Sequence, residues 1–186
     1  MATQTIVNGV NVDQLVDTVN LIKAHPDLAR FTFRATTEWQ QGALSRTKIQ
    51  GFYGAGAEDT SRGEPFYVAG DEPPVLLGRN GAPNAVELTL AALASCLIVG
   101  FIYNAAAQGI QVDKLEFDLE GDLDLHGFLG LSEEVRPGYE GIRLSCRVQS
   151  NAPRQKLEEL CEYVQRTSPV LDLIRNPVPV SVTLAE

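Results

Sequence analysis

Two stretches of the chain alternate strictly between apolar and polar positions. Over 115–124, Leu115, Phe117, Leu119 and Leu123 share one parity, while Glu116, Asp118, Glu120, Asp122 and Asp124 share the other. Over 142–149, Ile142, Leu144, Cys146 and Val148 alternate with Arg143, Ser145 and Arg147. Period two marks half-buried strands. Pairing them antiparallel sets an acidic row against a basic one. A third alternating run, Val178, Val180, Val182 and Leu184, predicts a final strand over 178–184. Earlier, 31–39 reads as a strand with Phe31, Phe33 and Trp39 on one side, Gln40, Gln41 and Gly42 as a turn, and 46–53 as the returning strand. Residues 54–64 read as a loop, and Pro65–Val68 as a short strand. Residues 1–10 read as an arm or edge strand, and 125–140 as a long loop.

Helical spacing appears in two amphipathic segments. Val12, Leu15, Val16, Val19 and Ile22 fall on one face of 11–24, which His25-Pro26 terminates. Leu157, Leu160, Cys161 and Val164 form the stripe of a helix that begins near Pro153 and ends before Pro169. Between them lies a segment of another kind. Residues 88–107 carry no charge, enough in length for a membrane span. Its small residues, its Thr89, Ser95 and Asn104, and the lack of closely flanking lysine or arginine favour the central helix of a soluble core. Gly109 is a natural stop. Strands and helices come in runs, so the expected class is α+β. The boundaries are an N-terminal arm and helix over 1–29 and a single α+β domain over 30–186.

Composition narrows the function. At 186 residues, with 44% apolar and 21% charged, the chain can bury a core without disulfides or metal. A net charge of −9 argues against nucleic acid or an anionic membrane as partner. Three scattered cysteines, Cys96, Cys146 and Cys161, suit neither a disulfide scaffold nor a zinc site. The N-terminus has no signal-peptide pattern, so a cytoplasmic protein with reduced thiols is expected. His25 and His126 lie apart from any serine or cysteine motif, and neither a metal motif nor a phosphate fingerprint is present. No metal and no cofactor are expected. Cys96, in the middle of the apolar helix, is the thiol of interest. A buried cysteine is usually inert, and a reactive one needs a cation. Its own helix has none, so the cation must come from Arg34, Arg46, Arg79 or Arg143.

The run Gly81–Leu97, GAPNAVELTLAALASCL, resembles the signature of the OsmC/Ohr family, the osmotically inducible and organic hydroperoxide resistance proteins. The tail Ser168–Val182, SPVLDLIRNPVPVSV, is similar to the family's second motif, Cys-Pro-Val followed by the last strand. The resemblance implies a mostly antiparallel sheet with two long central helices in an intertwined homodimer. It also implies a thiol peroxidase that reduces organic hydroperoxides with two cysteines, an arginine and a glutamate. Position by position, Cys96 falls on the peroxidatic cysteine and Ser168 on the second cysteine. Val86 falls on the glutamate, with Glu87 beside it. Gln40 and Gln41 stand where the family's arginine comes from the first hairpin turn, flanked by Arg34 and Arg46. Arg34 or Arg46 would hold the thiolate, with Glu87 orienting the arginine.

With no second cysteine in place, the reductant is expected to be an external dithiol. Cys161 could resolve the sulfenic acid only if its helical turn, rather than that of Ser168, faced Cys96. Seven residues separate the two, about 10 Å along a helix, so both cannot. The rival reading is a non-enzymatic dimer of the same fold that binds an apolar ligand.

Overall fold

The computed structural model describes residues 4–185. The chain opens with a minimal hairpin of β1 (Ile6–Val7) and β2 (Val10–Asn11). Asn8 and Gly9 turn it with φ of 53° and 78°, the left-handed pair that an Asn-Gly hairpin turn requires. The Asn8 side chain donates to the Ile110 carbonyl and accepts from the Val112 amide, at 2.9 Å each. Helix α1 (Val12–Ala24) follows and stops at His25-Pro26. Then come β3 (Thr36–Gln41), β4 (Leu44–Ile49), β5 (Phe52–Gly54), β6 (Ala57–Asp59) and β7 (Phe66–Gly70). The long helix α2 (Ala85–Ala107) leads into β8 (Val112–Asp122), a single-turn α3 (Leu125–Phe128), β9 (Gly141–Ser150), α4 (Arg154–Thr167) and α5 (Pro169–Arg175).

Contacts divide the described residues into two units, 4–12 with 90–185, and Asp13–Thr89. The first holds the hydrophobic core. Leu93, Leu97, Phe101 and Ala105 recur every four residues on α2 and are buried against Leu160 and Val164 of α4, Leu171 of α5 and Ile110. Leu115, Phe117, Leu119, Ile142 and Val148 pack on them from β8 and β9. Each fully buried leucine or phenylalanine contributes about 1.5–3 kcal/mol. At Gly100 a Cβ would stand 3.0 Å from Val164 Cγ1, so the glycine lets α2 and α4 approach closely. Helix α2 is long and apolar enough to cross a membrane by length and composition, yet the face that carries Leu93, Leu97 and Phe101 is occupied by protein.

β8 and β9 pair antiparallel with Phe117 opposite Cys146, Glu116 opposite Arg147 and Glu120 opposite Arg143, so the acidic and basic rows meet as expected. Arg143 bonds Glu120 at 2.7 Å and also Asp122, and Arg147 bonds Glu116 at 3.0 Å and also Asp118. These exposed pairs select the register more than they stabilise it.

In the second unit β3, β4 and β7 form an antiparallel sheet in that order, and β5 and β6 a separate hairpin. Among its described residues only Gly54 and Asp71 are buried. Phe31, Phe33 and Phe52 stack with centroids 5.4–6.1 Å apart. The Asp71 carboxylate gathers the loop that follows, accepting the N–H groups of Glu72, Arg79 and Gly81. These donors, Gly81 first, hold its carboxyl below the usual aspartate range.

Several sequence expectations are corrected. The first strand begins at Thr36 and runs through Gln40 and Gln41, so the turn falls at Gly42-Ala43. Phe31 and Phe33 form the aromatic stack instead, and Trp39 is 73% exposed. The returning strand breaks after Ile49 into β4 and β5, and the loop beyond contains β6. The loop over 125–140 begins with α3, capped by Asp124. The largest correction is at the end. Residues 169–175 are helical, and 178–184 form no strand, their apolar side chains exposed up to 101% at Leu184. Alternation says which side of a strand would face inward, but it does not supply a sheet edge. No described edge pairs with this segment.

Candidate active site

Cys96 sits half-buried on α2, one residue before the buried Leu97. Its Sγ lies 3.2 Å from the Ser168 hydroxyl. Ser168 joins α4 to α5 and is buried. Its local role is written in the sequence Ser-Pro-Val. A serine N-cap followed by proline in the first turn starts a helix. The Ser168 hydroxyl accepts the Leu171 N–H at 3.2 Å. Because that contact uses a lone pair, the hydroxyl proton remains available to the sulfur. Either atom can donate while Cys96 is a thiol; toward a thiolate, or the oxygen of a sulfenic acid, the hydroxyl is the donor.

The turn of α4 that faces Cys96 is therefore the one carrying Ser168. Cys161 stands two turns earlier, about 10 Å along the axis, with its thiol against that of Cys146. Burial first, and then the neighbouring Cys161 sulfur, push the Cys146 thiol up to about 12. A cavity of about 230 Å³ opens beside this region, walled by Leu97, Phe101, Phe117, Val164 and Leu171, with Arg175 among its polar groups.

The other candidates have partners of their own. Glu87 closes a capping box at the start of α2: its carboxylate accepts the Asn84 N–H at 2.8 Å while its N–H donates to Asn84 Oδ1 at 2.9 Å. Arg34 makes a two-pronged pair with Glu58, both contacts 2.8 Å, which raises the guanidinium pKa and lowers that of the carboxyl. Arg46 lies over the Tyr67 ring at 3.8 Å. The Arg79 backbone N–H, not its guanidinium, donates to Asp71, whereas the Arg143 guanidinium pairs with Glu120 and Asp122. Among the described residues no cluster of three or more metal-ligating side chains occurs.

Sequence reasoning registered Ser168 as the place of an absent cysteine and gave it no role of its own. The Ser-Pro dipeptide ahead of an apolar turn was the available signal. The contact between Cys146 and Cys161 was also missed. Each was assigned to the core separately, one by strand parity and one by helical stripe.

Comparison with known proteins bears on the family and the fold. The family model for OsmC-like protein matches residues 78–183, more than half of the chain and a span that includes both Cys96 and Ser168. No curated protein matches the sequence significantly. Among solved structures, an OsmC-like protein from Mycoplasma pneumoniae superimposes with a TM-score of 0.60 at 14% identity, over 78% of this chain and 89% of that one. An organic hydroperoxide resistance protein OsmC from Legionella pneumophila gives 0.54 at 19% identity, over 77% and 89%. At such identities the superpositions speak for the fold. With the matched segment running from the turn before α2 through the exposed tail, the chain belongs to the OsmC-like protein family.

Proposed function

We propose that the protein is a thiol-dependent reductase of organic hydroperoxides that works through Cys96 with the Ser168 hydroxyl as its hydrogen-bond partner. The observation that carries the reading is the 3.2 Å contact between Cys96 Sγ and Ser168 Oγ. In the forward step the Cys96 thiolate attacks the outer peroxide oxygen and the O–O bond breaks. The alkoxide leaves as the alcohol after taking a proton, and sulfur becomes a sulfenic acid. An external dithiol then condenses with it, releasing water. The second thiol of that reductant closes its own disulfide and frees Cys96. Arg34 and Arg46 are the candidate thiolate-stabilising cations, and replacing each by glutamine assigns the role by loss of kcat/KM.

The working form is a cytoplasmic homodimer. Two features support a second copy of the chain as partner. The 178–184 segment alternates like a strand without an edge to join, and α2 exposes Ile98, Val99 and Tyr103 on the side away from its buried stripe. An obligate interface of this kind should bury roughly 2,000–5,000 Å². Sedimentation at low micromolar concentration should give a dimer, and a folded monomer there would refute it.

Activity is tested by adding one equivalent of tert-butyl hydroperoxide. A trappable sulfenic acid should form on Cys96, and turnover should require an added dithiol. Cys96→Ser should abolish sulfenic acid formation at this position and with it most of the turnover, and Cys161→Ser should leave turnover nearly unchanged. The second reading, an apolar-ligand binder, is favoured by the apolar walls of the cavity beside Leu97 and Leu171. An unmodified Cys96 under excess peroxide would leave that reading standing alone.

A further inference from the structure

Cys161 does not face Cys96, but it is not isolated. β9 presents Cys146 opposite Phe117, on the face that packs toward the helices. Helix α4 presents Cys161 from the stripe that packs on the same core. The two thiols, one on a strand and one on a helix, line the same two openings and lie near enough for Cys161 to act on the charge of Cys146. Neither is sealed in. Both stand on the wall of the 230 Å³ cavity and also on that of a second opening of about 580 Å³, bordered by Lys114, Arg147 and Arg154. Small oxidants can reach the pair from either side. Structural cysteines buried in a core lack such access.

We infer that Cys146 and Cys161 are a second redox site, a dithiol that an organic hydroperoxide converts to a reversible disulfide without the participation of Cys96. One thiol sulfur attacks the peroxide oxygen, the O–O bond breaks, and the alkoxide leaves as the alcohol with the thiol's proton. The resulting sulfenic sulfur is attacked by the other thiol, the S–O bond breaks, and water leaves with the second proton. Two thiols and one hydroperoxide thus become one disulfide, one alcohol and one water. The disulfide would tie α4, whose last turn leads into Ser168, to β9. A dithiol reductant restores the pair.

The test uses the full chain with Cys96→Ser, so that loss of the proposed activity at Cys96 cannot be confused with failure here. Stoichiometric cumene hydroperoxide, or the thiol oxidant diamide, is added, free thiols are alkylated, and the protein is digested with trypsin without reduction. Cleavage after Arg143, Arg147, Lys156 and Arg166 places the two cysteines on separate peptides, 144–147 and 157–166. The expected result is a linked pair of these peptides that dithiothreitol separates. The unsubstituted protein, treated alike, should show the same link and none to the peptide carrying Cys96. Recovery of both peptides singly alkylated after either oxidant, in both proteins, overturns the inference.

Discussion

The unit built from 90–185 and the unit Asp13–Thr89 are held together by different means. In the first, α2, α4 and α5 bury an apolar stripe against the β8–β9 ribbon, and Phe101, Leu93 and Val164 are closed off from solvent. In the second, no described hydrophobic side chain is buried. Its order comes from strand ladders, a solvent-facing aromatic stack and the hydrogen bonds collected by Asp71. The difference teaches where sensitivity to substitution should lie. Truncation should be felt most in the first unit, and loss of single polar or conformational devices in the second.

The largest expected effect is therefore Phe101→Ala, which should lower unfolding free energy by about 3–5 kcal/mol in urea titration. A change below about 1 kcal/mol would mean that the α2–α4 interface is not the stabilising core. Gly54 offers the counterpart in the second unit. A Cβ there would fall 2.2 Å from the Phe31 ring. Because that ring is partly exposed and can swing away, Gly54→Ala should cost about 1 kcal/mol, the low end for overpacking. A similar figure, about 1 kcal/mol, is expected for Ser168→Ala through loss of the α5 cap. This variant should in addition slow sulfenic acid formation at Cys96, so the stopped-flow rate separates its chemical role from its structural one.

Acid should distinguish the units more finely. The Asp71 carboxyl is held below its ordinary range by the Gly81, Glu72 and Arg79 N–H groups. A depressed folded pKa contributes stability above the unfolded value, about 3.9 for aspartate, and that contribution is lost as pH falls through the folded value. Amide exchange at Gly81 should accelerate on acidification below about pH 4, while Leu160 and Val164 stay protected. Asp71→Asn should remove that acid step. Smallest of all should be Arg143→Ala. Its partners Glu120 and Asp122 are exposed, so the urea midpoint should move little and the difference should vanish in molar salt.

Much of the first unit was legible in the sequence. The Leu115–Asp122 alternation and its basic counterpart carried both the pairing and the inward parity of Cys146, because a strand's two faces are set by period alone. The uncharged stretch carried the central helix. Less of the second unit was legible. Phe31, Phe33 and Trp39 share a parity, yet only Trp39 lies in the strand and none of the three is buried, since parity without a covering layer buries nothing. The catalytic candidate was legible only as a cysteine in a motif. Its hydrogen-bond partner lies 72 residues away.

What the sequence determined by itself is local: periodicity, helix stops at Pro26 and Gly109, the caps available to serine and asparagine, and the motif that places Cys96 on a small-residue helix. These follow from backbone sterics and from side chains within a few positions of one another. Tertiary structure decided which turn of α4 meets Cys96, which thiol meets Cys161, and whether the 178–184 alternation becomes a strand within this chain. Each of these depends on where a separate element lands, and a helix rotated by one residue turns its side chains through about 100°. No spacing along the chain encodes that choice; it is made by the packing of Val164 onto Gly100 and of α5 onto the same core.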